Sequence, residues 1–513
     1  MKMIKSLVLG SAAGLLAMGG AQAADLPVKA KAVEYVKVCS LYGAGFFYIP
    51  GTDTCIKLGG YLRADVAWNT NNDYGFLGGT TGAKNRLSNY FTTRARFSMD
   101  WDTRTATEYG VVRTFATILT SYTDNGVTAN PNPATTALAT PNGSTASDAT
   151  AFQNGLGTTG QGIYQAFIQF AGFTIGRAYS IFDAPWQSYP AGGPDTLLGA
   201  SNHVTGVNQL TYTASFGNGV SGSISLEDPV DKDITNVTNL SNISAAGLFG
   251  GGYGTNNLGG TRAPDVIGQV RVDQAWGLAQ IAVAAHDNHV AYYGPTEITG
   301  HPEDKWGFAV QGALSIKNIP TGPGDSINMT AVYTNAATAY NFQWLFPRQA
   351  ALFGGTNLPG AYQSIALFGV ADTTYTNGSG QEAVQSWGFQ GGFTHNWSPN
   401  WASSIYGSIG ALKYGNNAVA TICATARTGA LLTGNCDPNF KVWTIGGTTI
   451  WTPVKNLAFT VDVNYTQIDQ NYSGTITTPG TGNASTAFAK PGAVYELKDL
   501  GTVSALFRAQ RNF

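Results

Sequence analysis

The chain has 513 residues, of which 11% are charged, 12% are aromatic and 65 are glycine. Soluble globular domains carry about 25% charged residues, so a surface this poor in charge favours a protein whose outer face meets lipid. The net charge of −2 argues against a nucleic-acid partner. No stretch beyond the N-terminus is apolar for long enough to be a membrane helix, so a membrane crossing would have to use β-strands.

The N-terminus has the pattern of an export signal. Lys2 and Lys5 precede an uncharged apolar stretch over residues 7–20, and Ala21-Gln22-Ala23 forms an A-x-A cleavage site. The alternative is a short membrane anchor, but the stretch is short for a bilayer and the cleavage motif follows at once. We therefore predict a signal peptide over residues 1–23 and a mature chain that begins at Ala24.

Four cysteines remain in the mature chain, and they fall into two local pairs: Cys39 with Cys55, and Cys423 with Cys436. In an oxidising compartment such pairs usually form disulfides, and we predict these two pairings among the three that four cysteines allow. A zinc site is disfavoured because neither pair has C-x-x-C spacing and no histidine lies nearby. Four free thiols are the remaining alternative.

Alternation of apolar and polar residues predicts β-strands over most of the mature chain. One clear case is residues 209–227, where two alternating runs flank the turn sequence Gly217-Asn218-Gly219, whose residues tolerate positive φ. Similar runs occur over residues 91–102, 306–316, 387–394 and 457–466. About 16 such strands can be counted from Leu58 to the end, an even number that would leave both chain ends in the periplasm.

The connections also alternate, between short turns such as Ser398-Pro399-Asn400 and long polar segments near residues 120–160, 338–382 and 415–440. Short turns at one rim and long loops at the other are typical of an outer-membrane barrel. We therefore predict an all-β fold, a transmembrane antiparallel β-barrel over residues 58–513 that follows an N-terminal periplasmic segment over residues 24–57. A soluble sandwich or solenoid would also alternate, but should show a charged water-facing surface or a fixed short repeat.

A barrel of 16 strands is wide enough to hold a water-filled channel lined by its inward polar residues. Arg63, Arg94, Arg96 and Arg113 fall on that phase of the first three strands. Their charges need water, because an arginine facing lipid at mid-bilayer costs about 2–4 kcal/mol. The alternative for each arginine is a rim position, paired with lipid or with a neighbouring carboxylate.

The segment after the fifth strand, about residues 180–206, is our candidate for a loop that folds into the barrel and narrows it. Asp183 and Asp195 in this segment could face the arginines across the narrowest point. Opposed charges would set up a transverse field that filters solutes by size and charge. The alternative is an external loop with ordinary solvated carboxylates.

Several segments resemble the porins of alphaproteobacteria: the block from Val38 to Tyr61 with its Cys-x15-Cys spacing, Thr93-Arg94-Ala95-Arg96, residues 110–114, residues 176–183, and the terminal Phe513. The resemblance extends over essentially the whole mature chain, while the loops differ. It implies a 16-stranded barrel, a homotrimer, an inward-folded third loop, and passive diffusion of small hydrophilic solutes and ions. In this reading Asp183 and Asp195 take the acidic constriction roles.

The same reading places the mature protein in the outer membrane, in contact with lipid that includes lipopolysaccharide. Phe513 ends an alternating strand, and such a terminal aromatic residue is the kind of tag that the outer-membrane assembly machinery recognises. Arg511 interrupts the apolar face of that strand at one position, so the pattern is incomplete.

The competing functions find less support in the sequence. No nucleophile motif surrounds any histidine, and His286 with His289 would give a metal only Asp287 as a further ligand, so we expect solvated loop histidines, no enzyme activity, no metal and no cofactor. A substrate-selective uptake channel or an adhesin built on the same barrel are the alternatives to general diffusion.

Overall fold

The computed structural model describes residues 37–70, 91–123, 158–186, 194, 197–201, 205–231, 236–343, 346–481 and 490–513. The predicted signal peptide over residues 1–23 and the candidate site residue Asp195 lie outside these ranges. No helix within them is long and apolar enough to cross a membrane.

The main body is a closed barrel of sixteen antiparallel strands, as the alternation predicted. Each strand pairs with the next in the chain, and the last pairs back onto the first, with Ala509 opposite Ala64. In chain order the strands are β1 Cys55–Trp68, β2 Phe91–Thr107, β3 Gly110–Thr123, β4 Thr158–Phe170, β5 Phe173–Ala178, β6 Val207–Gly217, β7 Val220–Glu227, β8 Asp265–Gln274, β9 Gly277–Asn288, β10 Lys305–Lys317, β11 Ser326–Asn335, β12 Gln385–Ser398, β13 Trp401–Lys413, β14 Phe440–Val454, β15 Leu457–Gln470 and β16 Leu500–Asn512.

The two faces of the wall differ as a strand period of two requires. On β9 the outward Ile281 is 64% exposed, whereas its inward neighbours Gln280 and Ala282 are buried. Outward positions are mostly Val, Ile, Leu, Phe, Trp and Ala, and inward positions are mostly Ser, Thr, Gln and charged residues. The apolar surface of this protein is therefore on the outside of the barrel, which is the arrangement of a membrane-spanning barrel.

Short turns and long loops lie at opposite rims, which we call the short-turn rim and the long-loop rim. The turn over residues 217–219 has positive φ at all three residues, as its Gly-Asn-Gly sequence predicted. The chain enters β1 and leaves β16 at the short-turn rim, since β1 begins there beside the turn at residues 108–109 and β16 ends there beside the turn at residues 455–456.

Before β1, residues 37–54 form a small hairpin in which Phe47–Tyr48 pairs with Cys55–Ile56. A disulfide joins Cys39 to Cys55, the first residue of β1, and a second disulfide joins Cys423 to Cys436. Both predicted pairings are thus present, and the described residues contain no free cysteine. The first strand begins at Cys55, slightly before the expected start at Leu58.

At the long-loop rim, parts of the loops that the structure describes fold into a second layer, which we call the cap. It contains helices α1 Ala245–Phe249 and α2 Asn416–Gly429. It also contains two four-stranded sheets, formed by Asn236–Asn239, Thr255–Asn256, Ala371–Tyr375 and Glu382–Ala383, and by Gln349–Gly354, Gln363–Gly369, Gly474–Thr481 and Lys490–Leu497. The core of the cap includes Phe346 and Phe368 and continues without a break into Phe440 and Ile468 at the ends of β14 and β15.

Candidate functional site

Three of the predicted arginines come together on the inner wall where β16, β1 and β2 meet. Arg63 on β1 lies opposite Arg96 on β2, and Asp65 lies opposite Arg94. These residues occupy one face of their strands, the inward one, as the strand phase predicted. The wall therefore presents a patch of guanidinium groups to the interior of the barrel.

The patch is organised by one buried carboxylate, that of Asp65. Its Oδ2 accepts hydrogen bonds from Arg94 at 2.6 and 3.0 Å, and its Oδ1 accepts one from Arg508 Nε at 2.7 Å. The sequence analysis did not include Arg508 among the inward arginines, although Arg508 lies on the inward phase of the last strand, between the outward Phe507 and Ala509. Extending the alternation to β16 would have found it.

Arg113 belongs to a second group, nearer the short-turn rim. It lies opposite Arg104, and both guanidinium groups bind the two oxygens of Asp102, with distances of 3.0 to 3.2 Å. Arg113 also donates to Gln169 on β4 at 3.0 Å. The four predicted arginines thus fall into two clusters. The arginines of one cluster surround Asp65, and those of the other bind Asp102.

We call the segment after β5, residues 179–206, the inward loop, and the parts of it that the structure describes lie inside the barrel. Carbonyl oxygens of Phe182 and Asp183 accept hydrogen bonds at 3.2 Å from Gln280, and Thr330 donates to the carbonyl of Gly199 at 2.8 Å. Gln280 and Thr330 are inward residues of β9 and β11. The described parts of the loop therefore leave β5 and are bound to the inner wall at β9 and β11, four and six strands further round the barrel.

Asp183 is only 7% exposed, and its Oδ1 accepts hydrogen bonds from the hydroxyl of Ser201 at 2.5 Å and from the Ser201 N–H at 3.3 Å. This contact ties the first part of the inward loop to the last. In a ring of sixteen strands, β8 and β9 lie opposite β16 and β1, so Asp183 is held at the wall facing the arginines.

A buried polar cluster fixes the inward loop to the wall. The Phe182 ring packs edge-on against Tyr340 with centroids 4.6 Å apart, and the Tyr340 hydroxyl donates to Asp265. Burial and the adjacent Asp265 raise the pKa of Tyr340 well above its usual range, so the phenol remains a donor. His286 Nδ1 lies 2.8 Å from the other oxygen of Asp265. His286 is therefore buried, and the expectation of a solvated loop histidine was wrong there.

The described residues contain no group of three His, Cys, Asp or Glu side chains that could hold a metal ion. What the site can do is electrostatic. Charges on the wall of a narrow water-filled space with low-dielectric walls act on solutes through a focused electric field, and the arginine patch lies on such a wall.

Comparison with known proteins identifies the family of this chain. The sequence profile of the porin subfamily matches residues 25–504. The chain is 32% identical to porin Omp2b of Brucella suis over 321 residues, which make up 62% of this chain and 75% of that protein. It is 34% identical to porin Omp2a of Brucella melitensis biotype 1 over 257 residues, 49% of this chain and 64% of that protein.

The fold is shared with the outer membrane channel DcaP of Acinetobacter baumannii, with a TM-score of 0.50 and 16% identity over 91% of this chain and 99% of that one. The family and the names of the relatives indicate a channel rather than an enzyme. The closed barrel, the polar interior and the inward loop agree with them. The chain belongs to the porin subfamily and forms a diffusion channel in the outer membrane.

Proposed function

We propose that Arg63, Arg94, Arg96 and Arg508, together with the inward loop, form the constriction, and that it passes small hydrophilic anions more readily than cations. The observation that carries this proposal is the excess of cations on the inner faces of β16, β1, β2 and β3. In the described parts of these strands the inward cations are Lys57, Arg63, Arg94, Arg96, Arg104, Arg113 and Arg508, and the inward carboxylates are Asp65, Asp100 and Asp102.

Such an excess raises the local concentration of anions and lowers that of cations within a Debye length of the wall, about 8 Å at physiological ionic strength. Arg63 and Arg96 matter most, because they are only partly buried, whereas Arg94 is buried against Asp65. Arg63 donates to Gln510 at 2.7 Å and Arg96 to Ser121 at 2.8 Å, which leaves their charges uncompensated by those neutral partners.

The test is the zero-current potential of the purified channel in a planar bilayer under a potassium chloride gradient. The natural protein should show an anion preference, and the double variant Arg63→Ser/Arg96→Ser should shift the potential toward cation selectivity. Arg427→Ser is the matched control, because Arg427 is an exposed residue in the last turn of α2, outside the barrel. A double variant with the natural potential would contradict the proposal.

Asp183 and Asp195 are the acidic residues of the inward loop in this proposal. Because Asp183 is buried against Ser201, its part is to hold the loop in place, and Asp195 is the candidate for the negative charge that faces the arginines. We expect Asp195→Asn to strengthen the anion preference in the same measurement. An unchanged potential would remove Asp195 from the constriction.

We also propose that the channel is a homotrimer in which β5 lies against a neighbouring copy. This strand has six residues, whereas a strand that spans a membrane needs about 9–11. Arg177 on β5 has the same outward phase as the exposed Phe173 and Ile175. It lies roughly 13 Å above the turn at residues 171–172, about halfway up an apolar band of ~25 Å, given ~3.3 Å per residue and ~40° tilt.

A strand this short does not span the apolar band by itself, and a neighbouring copy packed against Phe173, Ile175 and Arg177 would cover this part of the wall. Native mass spectrometry in detergent should find three chains per particle. Arg177→Glu should reduce the trimer fraction, and Arg177→Lys should retain most of it. A purely monomeric natural protein would contradict the trimer, and a fully trimeric Arg177→Glu variant would contradict the interface.

The two chain ends carry the remaining proposals. We propose cleavage after Ala23, which the intact mass of the exported protein tests. At the short-turn rim, Phe513 is 58% exposed, stacks on Phe97 and donates its N–H to the carbonyl of Gly60 at 3.1 Å. An exposed terminal ring at the periplasmic rim suits recognition by the assembly machinery. Deletion of Phe513 should lower the amount of protein in the outer membrane, where lipopolysaccharide surrounds the barrel.

A further inference from the structure

The hairpin before β1, residues 37–54, is a compact element joined to the barrel at the short-turn rim. We call the channel opening at this rim the periplasmic mouth, because the short turns of outer-membrane barrels face the periplasm. Its backbone is closed by hydrogen bonds from Cys39 N to Phe46 O at 3.0 Å, from Tyr48 N to Lys37 O at 2.9 Å, and from Ile49 N to Thr54 O at 2.9 Å. Phe46 and the Cys39–Cys55 disulfide form its buried core. The element therefore has a defined position, fixed at the first residue of β1.

The hairpin lies on the inner side of the wall rather than outside it. The guanidinium carbon of Arg104 is 4.9 Å from the Phe46 ring centroid and 5.7 Å from that of Tyr42. The aliphatic stem of Lys57 passes Gly45, where an added Cβ would lie 3.4 Å from Lys57 Cε. Lys57 and Arg104 are both inward residues, so the hairpin packs over the cations that line the periplasmic mouth.

The positive charge of these cations exceeds the negative charge of the carboxylate beside them. The single carboxylate of Asp102 is shared by Arg104 and Arg113, and Lys57 lies opposite Asp102 in the strand register. The guanidinium faces are held by aromatic rings, Tyr42 and Phe46 for Arg104 and Phe115 and Phe167 for Arg113. An attraction of this kind contributes about 0.5–2 kcal/mol and fixes the plane of the group.

The arginine pair borders open space. A cleft of about 590 Å³ beside it is lined by Tyr42, Arg104, Arg113 and Gln169, among others. Solutes that leave or enter at the periplasmic mouth can therefore approach the guanidinium edges that are not covered by rings. The hairpin supplies one side of this cleft and the barrel wall supplies the other.

We propose that Arg104 and Arg113 form a second anion filter at the periplasmic mouth, and that the disulfide-linked hairpin is the element that positions Arg104 in it. The ligands are small hydrophilic anions in transit. This inference rests on the proposed anion preference of the channel, but it places a separate determinant at the periplasmic mouth, away from the cluster around Asp65.

A positive charge at one mouth has a consequence that a central cluster lacks. It concentrates anions on one side only, so the current at low salt depends on the sign of the applied voltage. The asymmetry should be present at 0.1 M salt, where the Debye length is about 10 Å, and should disappear at 1 M, where it is about 3 Å.

The experiment measures current–voltage asymmetry of the full mature channel in planar bilayers, inserted in one orientation, at 0.1 and 1 M potassium chloride. The natural protein should conduct asymmetrically at 0.1 M, and Arg104→Ser should lose most of the asymmetry. Arg104→Lys should retain it in part, because lysine keeps the charge but not the planar stacking on Tyr42 and Phe46. A symmetric natural channel, or an unchanged Arg104→Ser variant, would overturn the filter.

The role of the hairpin is tested with Cys39→Ser/Cys55→Ser, which should lose asymmetry as Arg104→Ser does. Cys423→Ser/Cys436→Ser is the matched control, because it removes the disulfide of the cap and should keep the asymmetry. Equal loss in both double variants would overturn the positioning role. If the first double variant does not assemble, Phe46→Leu removes the aromatic face while keeping an apolar core residue, and should lower the asymmetry.

The same recordings separate this inference from the proposed constriction. Arg63→Ser/Arg96→Ser should shift the zero-current potential while the asymmetry remains. If Arg63→Ser/Arg96→Ser shifts the zero-current potential but Arg104→Ser leaves the current asymmetry unchanged, the constriction is supported and the periplasmic filter is overturned. The reverse pattern would leave the filter and overturn the constriction.

Discussion

At the scale of single residues, Asp65 is the group on which the basic patch depends. It is a buried carboxylate bound by Arg94 and Arg508. Arg63 and Arg96 form the next inward-facing cross-strand pair beside it. Asp65→Asn would leave two guanidinium groups close together without a counter-charge. Breaking a buried ion pair by removing one partner costs about 3–5 kcal/mol, and we expect a loss of stability of that size.

Urea unfolding of the detergent-solubilised barrel, followed by its tryptophan fluorescence, measures this loss. Asp273→Asn is the control, because Asp273 pairs with Arg271 but its side chain is 49% exposed. An exposed pair contributes about 0–1 kcal/mol, so this variant should unfold close to the natural protein. Equal unfolding midpoints for the two variants would show that Asp65 does not hold the patch together.

A second residue, Asp325, makes the turn between β10 and β11 sensitive to acid. Burial alone would raise the pKa of this carboxyl, but hydrogen bonds from the Thr321 hydroxyl, from the Asn396 N–H and from His395 lower it to about 2. Because the folded-state pKa lies below the ordinary value of 3.8, the carboxylate stabilises the fold above about pH 4. This stabilisation is lost as the pH falls from about 4 to about 2.

The prediction is that Asp325→Asn lowers the urea midpoint at pH 6 and that its difference from the natural protein closes as the pH approaches 2. The sign follows because the protonated carboxyl of the natural protein then resembles the amide in charge. A difference that stays constant between pH 6 and pH 2 would show that the charge of Asp325 contributes nothing to the turn.

At the scale of elements, the inward loop fits against the wall through glycine positions. A Cβ at Gly388 on β12 would overlap Asn341 Oδ1, which accepts the Gly199 N–H at 2.9 Å, and would approach the Gly199 nitrogen itself to 2.8 Å. Gly388→Ala should therefore push the inward loop away from β12 at a cost of about 1–3 kcal/mol.

Single-channel conductance is expected to change in Gly388→Ala, and liposome swelling should show altered size exclusion. Gly312→Ala on β10 is the matched control, because Gly312 is an outward position where nothing lies within 4 Å of an added Cβ. If the two variants conduct alike, the inward loop does not set the width of the passage.

The elements also differ in how far the sequence predicts them. The barrel strands show the period of two because one face meets an apolar medium and the other an aqueous lumen. The cap strands do not, since Gln363–Gly369 and Ala371–Tyr375 are covered on both faces and are buried almost throughout. They also pair in parallel with distant segments, as Ser364 does with Glu496, which no local pattern reveals.

For the site, strand phase predicted which arginines face inward but not how they group. That Arg113 pairs with Arg104 rather than joining Arg63 follows from the strand register, which depends on the length of each turn. The burial of Asp183 against Ser201 depends on the path of a loop, where the sequence has no periodicity.

At the scale of the whole molecule, the barrel and the cap are two layers that share one core. The barrel closes through β1 and β16 and needs no cap for its backbone hydrogen bonds. The cap, in contrast, packs its aromatic residues on Phe440 and Ile468 at the ends of barrel strands. The barrel should therefore be able to persist when the cap is loosened, whereas the cap should not fold without the barrel.

Phe368→Ala tests this hierarchy. The Phe368 ring is fully buried, with its centroid 5.5 Å from that of Phe346 and 4.8 Å from that of Phe440, so its removal should cost about 3–5 kcal/mol within the cap. Protease added to the outside should then cut the cap of the variant, while the barrel should still migrate as a folded species on unheated gels. Phe216→Ala, at an outward position that is 70% exposed, should leave the cap resistant. Loss of the folded barrel together with the cap would mean that the two layers unfold as one unit, and the stability of the channel would then depend on its external loops as much as on its wall.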